Sequence, residues 1–149
     1  MDHVMRHLNK FAAFAVVAAM VAGGSAFAAG PEAAIGKWRT PSKHGVVEIS
    51  RCGASLCGKL IESDHLRTNP DLRDVNNKEA AKRGRKLKDL QILGGFTSGK
   101  DGWNGGTIYN PEDGGTYKAT ITTAGNDTLK LKGCIVWPLC KTQTWTRLR

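Results

Sequence analysis

The sequence has few of the residues and motifs that enzyme chemistry uses. It contains neither a Gly-x-Ser-x-Gly nor a His-Glu-x-x-His motif, and its only histidines beyond residue 28 are His44 and His65. The cysteines fall into pairs, which leaves no unpaired thiol as a candidate nucleophile. Residues 71–77 are rich in Asp and Asn but lack the spacing and the distal Glu of a calcium loop. We therefore predict that the protein is not an enzyme and that it has no catalytic residues, no metal site and no cofactor.

Long hydrophobic runs are also scarce. The one unbroken apolar stretch, residues 11–21, is shorter than the roughly 20 residues that a membrane-spanning helix needs. It follows Arg6 and Lys10 and precedes the small-residue sequence Ala26-Phe27-Ala28, an order that is typical of a secretory signal peptide. We predict cleavage after Ala28, a single domain over residues 29–149, and a periplasmic location.

The sequence also has few acidic residues. It contains 22 Lys and Arg residues but only 13 Asp and Glu residues, which gives a formal net charge of +9. A basic exported protein can lie against anionic lipid head groups, so an anionic membrane surface is a candidate partner, with residues 78–88 as the densest basic stretch. Nucleic acid is not an expected partner, because the basic residues do not alternate with aromatic residues as in a base-stacking platform. The sequence carries no signal for an oligomeric state.

The chain is instead rich in short segments of strand character separated by turn residues. Residues 45–52 and 115–123 alternate their side chains between two faces, which favours strands. Eight such segments occur, and residues 97–102 between two of them are predicted to form a glycine-rich turn. One short helix is predicted to begin near Asn77 and end at Gly84. The pattern predicts an all-β fold, an antiparallel sandwich or barrel, with residues 64–87 as one irregular segment.

Both cysteine pairs flank a turn between two predicted strands. Cys52 and Cys57 enclose a four-residue turn, and Cys134 and Cys140 enclose a five-residue loop, Ile135-Val136-Trp137-Pro138-Leu139. In an exported protein an even number of cysteines indicates disulfides, and the alternative of a zinc site usually has cysteines about two to four residues apart. Four cysteines allow three connectivities, and the hairpin geometry favours the two local bridges.

The first and last predicted strands carry residues that suit each other. Gly36 precedes Trp38 by two positions, so another segment can pass close over the Trp38 ring. Arg147, two residues after Trp145 on the last strand, is placed to lay its guanidinium over that ring, an interaction worth about 0.5–2 kcal/mol. Trp38 as an ordinary core residue is the alternative. The first interpretation predicts that the two strands are neighbours and that the sheet closes into a barrel.

Four segments carry a further pattern: GKWRTPSKHGVVEISRCGASLCGKL, LKDLQILGGF, WNGGTIYNPEDGGTYKATI and TLKLKGCIVWPLCKTQTWTRL. In these segments the chain resembles a family of small exported bacterial proteins, domain of unknown function 2147, with both cysteine pairs and the NPEDG turn in order. The family tends toward a D-x-x-N stretch followed by R-x-R-P-L, and residues 74–77 and 83–87 depart from this, with Lys86 in place of the proline. The Gly-x-Trp start with a late Arg also resembles the lipocalin signature.

The resemblance implies a single antiparallel up-and-down barrel of about eight strands, lipocalin-like and calycin-type, with residues 64–87 as one long loop or short helix over a rim. Our first hypothesis is a periplasmic binding protein for a small hydrophobic or amphipathic ligand. The alternative is a non-enzymatic envelope interaction or structural protein whose basic residues 78–88 face lipid head groups or a protein partner. The alternation leaves open which strand face is inside. The candidate ligand-binding residues are, facing inward, Trp103, Tyr109, Tyr117, Ile121 and Leu131 and, at the mouth, Asp74, Asn76 and Arg85.

Overall fold

The computed structural model describes residues 29–149, so the predicted signal peptide lies outside the described residues. These residues form nine strands and one α-helix, with short 3-10 turns at Pro31–Ala34 and Ala80–Lys82. None of their helices has the length and apolar character to cross a bilayer. The elements in chain order are β1 (Gly36–Arg39), β2 (Val46–Cys52), β3 (Ser55–Glu62), α1 (Asp64–Thr68), β4 (Leu90–Gly94), β5 (Thr97–Gly99), β6 (Gly102–Asn110), β7 (Gly115–Ala124), β8 (Thr128–Val136) and β9 (Leu139–Leu148).

Eight of the strands form a closed antiparallel barrel. They are hydrogen-bonded in the order β4-β3-β2-β1-β9-β8-β7-β6, and β4 pairs with β6 to complete the ring. The predicted all-β barrel is therefore confirmed. The predicted glycine-rich turn at residues 97–102 is corrected, because Thr97 and Gly99 pair with Asn104 and Gly102 and make β5 a ninth strand beside β6.

The barrel closes where β1 meets β9. Trp38 lies opposite Arg147 in antiparallel register, and the Arg147 guanidinium carbon lies 4.2 Å from the centre of the Trp38 ring. The same guanidinium donates hydrogen bonds to the carbonyl oxygens of Ile35, at 2.8 Å, and Ala33. Gly36 has a φ of +134°, and a side chain at this position would collide with Arg147. The first and last strands are neighbours as predicted, and the missing side chain of Gly36 leaves the space that the Arg147 guanidinium occupies.

The end of the barrel beside this contact is filled with side chains, and we call it the closed end. The 3-10 turn Pro31–Ala34 lies across it, and the indole nitrogens of Trp38 and Trp103 each donate to a carbonyl oxygen of that turn at 2.8 Å. Buried indole N–H groups need such partners, so the turn satisfies the polar atoms of the two rings as well as covering them. The completely buried side chains there include Trp38, Trp103, Ile121 and Leu129.

The two disulfides join the cysteines of each hairpin. Cys52 is bonded to Cys57 and Cys134 to Cys140, which confirms the local pairing. All four cysteines of the chain are therefore used, and a zinc site built on cysteine is excluded.

The β8–β9 hairpin is longer than the sequence predicts. Cys134 lies opposite Cys140 in the ladder, and beyond them Val136 still pairs with Leu139. The predicted five-residue loop is therefore wrong, since strand structure continues up to a turn at residues 137–138. We call residues 135–139 the hairpin tip.

The α-helix lies earlier in the chain than the sequence predicts. α1 begins after Ser63, whose Oγ accepts a hydrogen bond from the Leu66 backbone N–H at 3.2 Å. Near Asn77, where a helix is predicted, the chain forms only the 3-10 turn Ala80–Lys82. The sequence does hold the signal for α1, because serine followed by Asp64 is a preferred N-cap with an acidic first turn.

Candidate functional site

The open end of the barrel contains a cavity of about 1040 Å³. β6 runs from Trp103 in the closed end to Tyr109 in the cavity wall, so the cavity and the closed end lie at opposite ends of the same strands. Ligand pockets usually measure about 300–1,000 Å³, so a small molecule fits. Apolar side chains of six strands form the wall, and they are Val47, Leu60, Ile92, Ile108, Leu131 and Trp145.

The β8 strand shows which strand face is inside. Leu131, Gly133 and Ile135 line the cavity, and Lys130 and Lys132 alternate with them on the other face. Gly133 leaves part of the wall unfilled, because a Cβ atom at this position would have only one neighbour within 4 Å, an Ile108 methyl carbon at 3.7 Å. The structure thus shows that Leu131 and Gly133 point into the barrel, which the alternation alone leaves open.

Charged side chains surround the mouth of the cavity. They come from the loop before β2, from the segment after α1, from the β6–β7 turn and from β9, and they are Lys43, Arg73, Glu112, Asp113 and Lys141, with the His65 imidazole of α1 beside them. An apolar wall below a charged rim suits an amphipathic molecule, since each part of such a molecule meets surroundings of its own polarity.

Residues 63–89 connect β3 to β4 across this mouth, and we call them the mouth strap. The strap is tied to the β6–β7 turn, where the side-chain amide of Asn76 donates to the carbonyl oxygens of Pro111 and Glu112, both at 3.2 Å. Gly114 in the same turn has a φ of +68° and lies so close to the Asn76 backbone that a side chain would not fit. The strap residues that add apolar side chains to the cavity lining are Leu72, Val75 and Leu87.

A buried hydrogen-bond network anchors the mouth strap to β6. The Asp74 carboxylate accepts hydrogen bonds from the Tyr109 hydroxyl at 2.5 Å, from Asn77 Nδ2 at 2.9 Å and from Arg85 Nε at 2.8 Å. The Arg85 guanidinium also lies 5.1 Å from the centre of the Tyr109 ring. No buried side-chain nitrogen or oxygen in the part of the chain that the structure describes lacks a partner, so the network is fully satisfied.

The network fixes the charge states of its members. Burial by itself raises the pKa of Asp74, but the hydrogen bonds from Tyr109, Asn77 and Arg85 outweigh burial, and the pKa lies below its ordinary value. Burial, followed by the hydrogen bond to Asp74, raises the pKa of Tyr109 above its ordinary value. At neutral pH a carboxylate therefore accepts from a protonated phenol, which is the combination that makes this hydrogen bond strong.

We expect the protein to lose stability as the pH falls below about 4. Asp74 has a lower pKa in the folded chain than the value of about 3.9 expected when unfolded. Such a group contributes stability above the unfolded pKa, and the contribution is lost as the pH falls through the folded pKa. The hydrogen bond from Lys86 lowers the pKa of Asp71 and adds to the effect in the same direction. Urea unfolding midpoints between about pH 7 and about pH 2.5 measure it, and a midpoint that rises in acid would contradict it.

A second carboxylate–phenol pair lies in the cavity wall. The Tyr117 hydroxyl donates to Asp113 Oδ2 at 2.7 Å. Burial raises the pKa of Asp113, but the hydrogen bonds from Tyr117 and the Gly115 backbone outweigh burial, and the pKa lies below its ordinary value. The hydrogen bond to Asp113 raises the pKa of Tyr117 above its ordinary value. Both shifts move these groups away from neutrality, where a general acid or base works best. Within residues 29–149 no three His, Cys, Asp or Glu side chains come together as a metal ion requires.

Half of the predicted ligand-binding residues line the cavity. They come from β6, β7, β8 and the mouth strap, and they are Tyr109, Tyr117, Leu131 and Asn76. Asn76 is placed there by its hydrogen bonds to the β6–β7 turn. These residues remain our candidates for ligand contact.

The structure places the other predicted residues elsewhere. Trp103 and Ile121 are completely buried in the closed end, because the 3-10 turn and its neighbours leave no space around them. Asp74 and Arg85 are absent from the cavity lining and act in the network that anchors the strap. The pattern of alternation identified Trp103 and Ile121 as strand positions but could not tell the two ends of the barrel apart.

Sequence reasoning missed several residues of the cavity wall. Val47 and Leu60 face the cavity from β2 and β3, and Gln143 lies beside Trp145 on β9, where its Oε1 accepts a hydrogen bond from the Trp145 indole at 2.8 Å. Trp145 was expected at the barrel closure alone and also lines the cavity. The signal was present in the alternation of β2, but it becomes useful only once the inner face is known.

An eight-stranded antiparallel barrel with one end filled and the other open to a cavity is a lipocalin-like fold. The chain belongs to the family described as uncharacterized proteins conserved in bacteria (DUF2147), whose model matches residues 36–147. The structure is similar to that of protein HP1028 from the human pathogen Helicobacter pylori, described as belonging to the lipocalin family, with a TM-score of 0.69 and 25% sequence identity over 77% of this chain and 82% of that one. No curated protein matches the sequence.

Proposed function

We propose that the protein is a periplasmic binding protein that carries a small hydrophobic or amphipathic molecule in its barrel. The observation that carries the proposal is the cavity of about 1040 Å³, walled by apolar side chains and open at one end. Protein interiors are normally close-packed, so a space of this size inside a small barrel has a cost in stability that a bound molecule offsets.

The charges at the mouth favour a ligand with an acidic head group. Both carboxylates at the rim already accept hydrogen bonds from the protein: Glu112 accepts one from Ser42 at 3.1 Å, and Asp113 accepts one from Tyr117. Among the described residues, Lys43 and Lys141 form no ion pair. A carboxylate or phosphate at the mouth would meet these two lysines while its apolar chain lies in the barrel.

The location and the absence of catalysis belong to the same proposal. Two disulfides in a chain of this size fit an oxidising, exported environment, and the predicted signal peptide supports the periplasm. We propose binding without catalysis because the pKa values of Asp113 and Tyr117, which touch in the cavity wall, are shifted away from neutrality.

The alternative, a contact surface formed by the basic residues 78–88, has less support. Several of these charges are already paired within the mouth strap: Lys82 with Glu79 at 2.6 Å and Lys86 with Asp71 at 2.5 Å. Arg85 is engaged by the buried Asp74. Three of the six basic residues in this stretch are therefore already paired, which reduces the charge that it can offer to an anionic surface, so we favour the cavity.

Binding can be measured by titrating the delipidated protein with cis-parinaric acid, a fluorescent fatty acid. We expect saturable binding with one site per chain and competition by lauric acid but not by acetate, since acetate lacks the apolar chain. Titration that never saturates, or that acetate reverses as well as laurate does, would contradict a built cavity site.

A further inference from the structure

The hairpin tip concentrates the exposed apolar surface of the molecule. Five large apolar side chains are mostly exposed in residues 29–149, and four of them lie in the tip: Ile135, Val136, Trp137 and Leu139. Trp137 is 74% exposed, whereas the other three tryptophans of the chain are buried. Exposed apolar clusters of this kind mark places where a protein meets a partner or a membrane.

The tip is a fixed structure. The Cys134–Cys140 disulfide crosses the hairpin directly below it, and strand pairing continues up to Val136 and Leu139. On the outer face, Lys132 Nζ lies 4.5 Å from the centre of the Trp137 ring. The apolar side chains are therefore held out into solvent by the hairpin itself.

The surroundings of the tip are basic. Residues 128–149 include no Asp or Glu, and Lys130, Lys132 and Lys141 lie on the two strands that lead to the tip. Lys132 and Lys141 flank the disulfide, and Lys118 of β7 lies opposite Cys134 in the ladder. In the part of the chain that the structure describes, these three lysines form no ion pair. Their charges are free to meet anionic groups.

We propose that the hairpin tip docks on the surface of an anionic lipid bilayer. Tryptophan at a polar–apolar boundary, aliphatic side chains beside it and lysines behind it are the residue types that settle at the head-group level of a membrane. The charge complementarity selects anionic lipid. A protein partner fits less well, because a stable protein interface takes roughly 20–30 residues a side, and the tip offers five residues, 135–139.

Docking in this way would bring the cavity mouth to the membrane. Ile135 and Leu139 belong to the tip and also line the cavity, so apolar surface is continuous from the bilayer into the barrel. This consequence, a route for an amphipathic ligand between membrane and cavity, rests on the proposed function. The docking itself does not, so each can fail without the other.

Trp137 makes the docking measurable without a label, since it is the one exposed tryptophan. We expect vesicles of phosphatidylglycerol and phosphatidylethanolamine to shift the emission to shorter wavelength and to protect it from iodide, and brominated phosphatidylglycerol to quench it. Vesicles of pure phosphatidylcholine should bind weakly. Equal binding to both kinds of vesicle, or no binding to either, overturns the proposal.

Variants assign the contact to the tip. Trp137→Ser is expected to weaken co-sedimentation with anionic vesicles about tenfold. The double variant Lys132→Gln with Lys141→Gln should also bind more weakly than the wild type, and the difference between the two should grow as salt is lowered, because salt screens the attraction of the lysines to the lipid. Lys59→Gln, an exposed lysine on β3 across the barrel, is the matched control and should bind as the wild type does. Vesicle binding that survives Trp137→Ser points to the basic residues 78–88 and overturns the proposal. A blue shift that appears at high protein concentration without vesicles, with a dimer in sedimentation, overturns it in favour of a second copy.

Discussion

Asp74→Ala is expected to lower the free energy of unfolding by about 3 kcal/mol. The substitution removes the acceptor of three hydrogen bonds, those from Tyr109, Asn77 and Arg85. The Tyr109 hydroxyl is buried beneath the mouth strap and would lose its carboxylate partner, and the guanidinium of Arg85 would lose its counter-ion. Urea unfolding with the disulfides intact measures the loss as a shift of the midpoint.

Asp71→Ala is the matched control, because it removes a carboxylate from the same strap. The Asp71 side chain is 72% exposed and meets Lys86, whereas the Asp74 side chain is completely buried. Exposed ion pairs contribute little to stability, so the midpoint of Asp71→Ala should stay near the wild-type value. Equal shifts in the two variants would contradict the anchoring role of Asp74.

Gly133→Phe is expected to weaken cis-parinaric acid binding at least about tenfold while leaving the barrel folded. The position faces the cavity, and a Cβ atom there makes only an ordinary contact with Ile108 at 3.7 Å. The ring therefore extends into the space that the ligand's apolar chain would take. Loss of contact equal to two methylene groups, at about 0.8 kcal/mol each, already corresponds to about tenfold in affinity.

Gly30→Phe controls for adding an aromatic ring to the protein. Gly30 is exposed, has ordinary extended backbone and has no atom within 4 Å of a Cβ built on it. This variant should bind the probe as the wild type does. If Gly133→Phe also binds with unchanged affinity, the cavity is not where the probe is held.

The closure of the barrel could be predicted from the sequence because it depends on a few residues with distinctive chemistry. Gly36 and Trp38 near the start suit a close contact with Arg147 near the end, and the structure places the Arg147 guanidinium over the Trp38 ring. The disulfides were predictable for the same reason, since Cys134 and Cys140 flank a hairpin and bridge it.

The cavity was predictable only in part, because it depends on how the barrel is filled. Trp103 and Tyr109 both lie on β6, yet one is packed beneath the 3-10 turn and the other lines the cavity, and a register shift between Trp103 and Gly106 interrupts the alternation between them. Alternation has a period of two and carries no information about position along the barrel axis. The turn that closes one end is formed by Pro31–Ala34, a short segment without a strong pattern.

The mouth strap was the least predictable element. Its structure comes from side-chain hydrogen bonds between residues far apart in sequence, such as Asp74 with Tyr109, and from the close approach of Asn76 to Gly114. Neither contact leaves a periodic signal in the chain. Asp74 and Arg85 therefore looked like surface residues at the mouth, although they form the anchor of the strap.

The central claim, that the open end of the barrel holds a small molecule, is tested most directly by native mass spectrometry of the protein purified from its own cell envelope without detergent. The account predicts one small-molecule adduct per chain in the wild type, removed by organic extraction and missing from Gly133→Phe. Repeated wild-type preparations at the bare mass of the chain, or an adduct that stays with Gly133→Phe, would contradict it.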